Sequence, residues 1–179
     1  MIYSQYDDIA SQYDTLFSDE KSLAENAEVG EMLPPLVGSV LDIGCGTGLL
    51  TEITYVDPDD YLGIDPSKGM LEQFLKKHSA FHGRLVNEPF NRKSLDCNHF
   101  DNIISLFGSP SYLSHLDIVA ISKSPAKKFL MFYKEEYHPV TYEKCNVEFK
   151  HNFYSEKMLK SLFGSSNVRN YHNYIVVTT

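Results

Sequence analysis

Short apolar runs with strand character alternate with helix-like stretches along most of the chain, the pattern of a parallel sheet joined by crossover helices. The runs are residues 39–43, 61–65, 84–87, 101–107 and 128–133, which gives five expected strands. Between them, residues 49–54, 68–78 and 112–122 can form helices, the second with Met70, Leu71, Phe74 and Leu75 at amphipathic spacing. After Tyr133 the alternation stops: Ser155 can cap a helix through Phe163, and Gly164 is its stop signal. Residues 167–172 and 174–179 then read as two extended runs, joined closely enough for an antiparallel hairpin at the sheet edge. Ahead of the first strand, residues 3–33 look helical, and Pro34-Pro35 closes them off because proline cannot continue a helix. The expectation is an α/β fold: a doubly wound, mostly parallel sheet with a C-terminal antiparallel hairpin. It occupies one domain over residues 1–179, with residues 1–35 as a helical cap.

Composition narrows the class without changing that picture. A chain of 179 residues fits one domain, given about 150 residues per domain as a prior. With 42% hydrophobic and 22% charged residues it is an ordinary globular sequence, not a disordered or fibrous one. The longest apolar runs fall far below the roughly 18 residues a membrane span needs, so no membrane association is expected. The N-terminal MIYSQYDDIASQYD carries acids and tyrosines where a signal peptide has a basic start and an apolar core, so the cytoplasm is the expected compartment. Net charge is −8 and the basic residues are scattered, which makes nucleic acid a poor candidate partner. Cys45, Cys97 and Cys145 are odd in number and lack CxxC spacing, so reduced thiols are expected rather than a zinc knuckle or disulfide framework.

The candidate chemistry sits at the end of the first strand, in VLDIGCGTGLL over residues 40–50. The glycines Gly44, Gly46 and Gly48 are spaced GxGxG, and Leu49 stands where the GxGxxG dinucleotide fingerprint needs its last glycine. A P-loop needs Lys followed by Ser or Thr, and Leu49-Leu50-Thr51 supplies no lysine. What remains is Asp42 at a strand end, a turn bare of Cβ at three places, and a helix N-terminus with no basic partner. Such a site suits a ligand that lies on the backbone, offers a carboxylate to the helix dipole and carries its own positive charge, which describes S-adenosylmethionine.

VLDIGCGTG resembles motif I of the class I S-adenosylmethionine-dependent methyltransferases, which have a Rossmann-like fold, and the resemblance extends over residues 38–179. It implies S-adenosylmethionine as cofactor. Asp65, in YLGIDPSKGML, stands 17 residues after Gly48 where the family places an acid on the ribose hydroxyls, the device nicotinamide folds also use. Pro66 follows where the family packs an apolar side chain on the adenine. Asn87 matches the family's adenine-reading Asp, since an amide oxygen accepts the same bond, and Glu88 stands where a small residue is usual. Cys45 occupies a variable motif position and reads as a small packing residue. Leu106 begins the exit of the fourth strand in FDNIISLFGSPSYL. The N-terminal YDDIASQYD resembles a segment that folds over the cofactor in small-molecule and tRNA-modifying members, to which Tyr6 and Tyr13 would contribute. Their seven-residue spacing fits core packing equally well.

The exit of strand four, Leu106-Phe107-Gly108-Ser109, lacks the Asn/Asp-Pro-Pro-aromatic signature of base-amino methylation, and Cys97 follows Asp96 rather than the Pro of cytosine-C5 enzymes. With an acidic surface and a short cap, the acceptor expected is a small molecule or metabolite, protein side chains being the alternative. In-line transfer needs alignment above all, so no catalytic residue is obligatory. The rival reading is a protein that binds S-adenosylmethionine or S-adenosylhomocysteine without turnover, as a regulatory or partner subunit. A weaker third reading is a nicotinamide enzyme. His78 and His82 have an i, i+4 spacing that could bind metal, but no third ligand accompanies them and no metal site is expected. His115 and His138 follow the fourth and fifth strands, where open α/β sheets bind ligands.

Overall fold

The computed structural model describes residues 2–97, 99–134 and 150–179; His138 and Cys145 lie outside them. A seven-stranded sheet is flanked by helices on both faces. Its strands are β1 (Val40–Ile43), β2 (Tyr61–Ile64), β3 (Leu85–Val86), β4 (Asn102–Ser105), β5 (Lys127–Tyr133), β6 (Val168–Tyr171) and β7 (Tyr174–Thr178). They lie in the order β3-β2-β1-β4-β5-β7-β6. The first five are parallel, and β7 runs antiparallel between β5 and the edge strand β6. All five expected parallel strands and the C-terminal hairpin are therefore present; β3-β2-β1-β4-β5 follow the Rossmann-like order and sense, and the antiparallel β7 departs from it.

The helices are α1 (Ile2–Ile9), α2 (Tyr13–Leu16), α3 (Glu20–Met32), α4 (Leu49–Ile53), α5 (Lys68–Lys77), α6 (Lys93–Cys97), α7 (His115–Lys123) and α8 (Glu156–Phe163). Oxygen side chains start four of them: Asp19, Ser67, Ser114 and Ser155 each accept the backbone N–H three residues on, satisfying a donor the helix itself cannot. The expected N-terminal helical stretch is interrupted by a 3-10 turn at Ala10–Gln12, resumes as α2, and breaks again before Asp19, which caps α3. The helix expected from residue 112 begins at His115, because Ser114 and Asp117 form a reciprocal capping box. Helix α6 has no counterpart in the sequence-based expectation.

Both sheet faces are covered, and β5 shows how. Phe129, Met131 and Tyr133 point into a cluster with Val29 of α3, Leu50 of α4 and Phe74 of α5. Leu130 and Phe132 alternate to the other face, with Ile118 and Ile121 of α7 and Leu159 and Phe163 of α8. A strand buried on both faces has no polar side to alternate with, which is why KKFLMFY reads as a continuous apolar run. Removing a ring such as Phe74, fully buried in the first cluster, costs about 3–5 kcal/mol. Among the described residues, no helix is long and apolar enough to cross a membrane.

Candidate functional site

β1 lies at the point where the strand order reverses, with β2 on one side and β4 on the other, and ligands of open α/β sheets bind beyond the carboxyl ends of strands at such a point. A cavity of about 1290 Å³ opens there, floored by the strand ends and roofed by residues of α1 to α3. Of the residues singled out in the sequence, Asp42, Gly44, Cys45, Gly46, Asp65, Pro66, Leu106, Tyr6 and Tyr13 line it. Gly48, Asn87 and Glu88 do not; Asn87 and Glu88 are exposed.

The three glycines differ in what they answer to. All have positive φ, at 74°, 53° and 98°, which penalises any side chain. A Cβ on Gly44 would meet Ser109 Cβ at 2.6 Å, and one on Gly48 would meet the Phe74 ring at 2.8 Å, whereas one on Gly46 would meet nothing within 4 Å. Packing within the chain accounts for Gly44 and Gly48. Of the three, only Gly46 has no described residue beyond its chain neighbours within 4 Å of that position, so its backbone lies bare there.

Asp65, at the end of β2, is buried and accepts the Gly46 N–H at 2.9 Å and the Ser67 N–H at 2.8 Å, one on each carboxylate oxygen. Each oxygen retains a further lone pair for a ligand hydroxyl. Burial pushes its carboxyl up to about 6, even though the two N–H donors oppose that shift. Asp42, buried at the end of β1, accepts the Tyr61 hydroxyl at 2.8 Å, and burial raises its carboxyl to about 7, aided by the nearby Asp65. Two buried carboxylates beside one bare backbone turn make a site short of positive charge and hydroxyl donors. Asn87 donates its side-chain amide to the Asp65 carbonyl at 3.1 Å, which leaves its amide oxygen to accept from a ligand. Cys45 is buried and burial drives its thiol well above the ordinary range, so it is inert as a nucleophile.

The cap is tied to the site by groups the sequence reading did not single out. Thr47 donates to Asp14 Oδ1 at 2.6 Å, and Lys77 of α5 pairs with Asp14 Oδ2 at 2.7 Å and with Glu52 at 2.6 Å. Asp7 accepts the Ser67 hydroxyl and the Gly69 N–H, both at 2.7 Å. Asp7 and Asp14 sit in YDDIASQYD with the same spacing as Tyr6 and Tyr13, the one signal that could have found them. Tyr6 and Tyr13 lie on the cavity side with ring centroids 6.3 Å apart. The histidines are elsewhere: His78 lies 3.3 Å from Glu52, and His82 and His115 are exposed. Among the described residues, no group of three or more His, Cys, Asp or Glu is placed to hold a metal ion.

Comparison with known proteins agrees with this geometry. Residues 40–126 match a family model described as a methyltransferase domain, the stretch from β1 to the entry of β5. Among solved structures, a possible histamine N-methyltransferase from Thermotoga maritima, described as S-adenosylmethionine-dependent, superposes with a TM-score of 0.62 at 16% identity over 95% of this chain and 82% of its own. DhpI in complex with SAH superposes at 0.63, with 15% identity over 98% and 92%. DesVI of Streptomyces venezuelae superposes at 0.59, with 14% identity over 95% and 97%. No curated protein matches the sequence. Residues 40–126 thus match a methyltransferase domain, and the fold over nearly the whole chain is similar to that of S-adenosylmethionine-dependent methyltransferases.

Proposed function

We propose that the protein is an S-adenosylmethionine-dependent methyltransferase acting on a small-molecule or metabolite acceptor. We read residues 1–179 as one domain, residues 1–35 as its cap, and the cytoplasm as its compartment. The observation that carries the reading is the open space over Gly46 beside Asp65, where a bare backbone and a carboxylate converge in one cavity.

In this reading Asp65 accepts the ribose hydroxyls, Pro66 packs on the adenine and Asn87 accepts from its amino group. Asp42 and the turn at Gly44–Gly46 face the methionine end. The bound cofactor supplies an electrophilic methyl that needs no further activation. The chain's own contribution is then to hold the partners in line and keep water out, and well-held geometry can supply about 7–11 kcal/mol of a barrier. Tyr6 and Tyr13 close the cavity from above, with Asp14 holding the cap through Thr47 and Lys77.

The experiment is incubation with methyl-labelled S-adenosylmethionine and a panel of amine, phenol, carboxylate and thiol acceptors. Labelled product supports the enzyme. Tight cofactor binding without turnover on the whole panel would instead favour the non-catalytic binder.

A further inference from the structure

The part of the cavity beyond β4, β5 and β7 is walled by aromatic rings drawn from distant segments. Tyr6 of α1 stands 6.3 Å from Tyr112, at 86° between ring planes. Tyr112 stands 6.5 Å from Tyr133 at 84°, Tyr133 stacks on Tyr174 at 5.7 Å, and Tyr174 meets Phe107 edge-on at 5.7 Å. All five line the cavity. Three of these four pairs are near perpendicular, so ring faces turn in more than one direction along the wall, and each face carries negative quadrupolar potential.

The wall is held in place at a conformational cost. Phe107 is a non-glycine residue at φ 44°, and Gly108 follows at φ 84°. A Cβ on Gly108 would lie 2.1 Å from the Tyr133 ring, so the ring lies directly against bare backbone. Ser111 fixes the same strand end by accepting the Tyr133 N–H at 2.9 Å. Backbone strain of this kind persists where surrounding structure over-determines it, and it concentrates at functional sites.

Charge points the same way. Among the described residues lining the cavity, eight are carboxylates and two are lysines. Of these lysines, Lys77 is engaged by Asp14 and Glu52. Glu25 and Glu28 of α3 line the cavity, Glu28 at 3.3 Å from His172. The carboxylates are spread round the cavity as a whole, which disfavours an anionic acceptor and leaves the ring faces as the local attraction for a cationic one.

Resting on the proposed function, we infer that the rings of Tyr6, Tyr112 and Tyr133 form a cage for a cationic nitrogen, so that the acceptor is an aliphatic amine bound as its ammonium form. Loss of the ammonium proton to bulk water frees the lone pair that forms the N–CH3 bond as the S–CH3 electron pair withdraws onto sulfur. The product is again a cation at the rings.

The test is binding, read by calorimetry with choline and its neutral isostere 3,3-dimethylbutan-1-ol on protein saturated with S-adenosylhomocysteine. Desolvated cation–π contacts lead us to expect choline to bind roughly ten-fold more tightly than the isostere. Tyr112→Leu should abolish the preference and Tyr112→Phe should keep it. If Tyr112→Leu fails to fold, Tyr6→Leu removes a ring from the cap and should reduce the preference. Equal or tighter binding of the isostere, no binding of choline, or a preference that survives loss of the ring overturns the cage. Failure of S-adenosylhomocysteine to bind wild type would instead strike the proposed function. The two ligands are then compared on the free protein, where the same outcomes decide the cage.

Discussion

Replacing Asp42 with Asn should make the free protein more stable at alkaline pH while weakening its hold on cofactor. Asp42 is 2% exposed at the end of β1, and its one hydrogen-bonding side-chain partner is the Tyr61 hydroxyl. Burial, with Asp65 nearby, raises its carboxyl from 3.8 to about 7. Because the folded value lies above the unfolded one, folding favours the protonated form, and stability falls as pH rises from about 4 to about 7. At about 1.4 kcal/mol per unit, ionisation at pH 8 costs the fold up to about 4 kcal/mol. Asn keeps an acceptor for Tyr61 but adds an NH2 that needs a partner, an expense of about 1–3 kcal/mol if unmet. We therefore expect a net gain of roughly 2 kcal/mol at pH 8, or about 4–8 °C in Tm for a domain of this size. The assay is thermal unfolding of both proteins without cofactor at pH 8 and pH 5, with the advantage shrinking at the lower pH. A variant no more stable than wild type at pH 8, or equally favoured at both pH values, would refute the reasoning. A carboxylate kept at such a cost is one the site uses, so calorimetry should show the stabilised variant binding S-adenosylhomocysteine more weakly.

Two further outcomes follow from the same geometry. Asp65→Ala removes the acceptor proposed for the ribose, and hydrogen bonds to charged groups are worth about 1.5–3 kcal/mol; S-adenosylhomocysteine affinity should fall roughly ten- to hundredfold by calorimetry. The variant should also melt lower, because Gly46 and Ser67 lose the acceptor of their N–H groups. Gly108→Ala places a Cβ against the Tyr133 ring at a positive φ and should lower stability by about 1–3 kcal/mol in a denaturant titration.

Much of this architecture was legible in the sequence because its signals are local. The strands of β1, β2, β4 and β5 are apolar runs bounded by glycine, proline or charged residues, and the serine cap at Ser155 announces its helix. The boundaries that moved did so for reasons visible only in three dimensions. The fourth strand ends at Ser105, not at residue 107, because Phe107 and Gly108 both take positive φ to bring Tyr133 against the turn. Helix α6 is a single turn and a half, too short for periodicity to register. The motif revealed Asp42, Gly46 and Asp65, yet it could not say that Gly44 and Gly48 answer to Ser109 and Phe74. The aromatic wall was out of reach altogether, since Tyr6, Tyr112, Tyr133 and Tyr174 come together only through the strand order.

Calorimetric titration of S-adenosylhomocysteine into wild type and Gly46→Val asks whether the turn at Gly46, beside Asp65, holds the cofactor. Apart from its chain neighbours, no atom of the described residues stands within 4 Å of the position a Cβ would take at Gly46, so the valine has room among them apart from its unfavourable φ. We predict saturable binding to the wild type and none measurable to a folded Gly46→Val. Equal affinity in the two proteins, or no binding to either, would contradict the account.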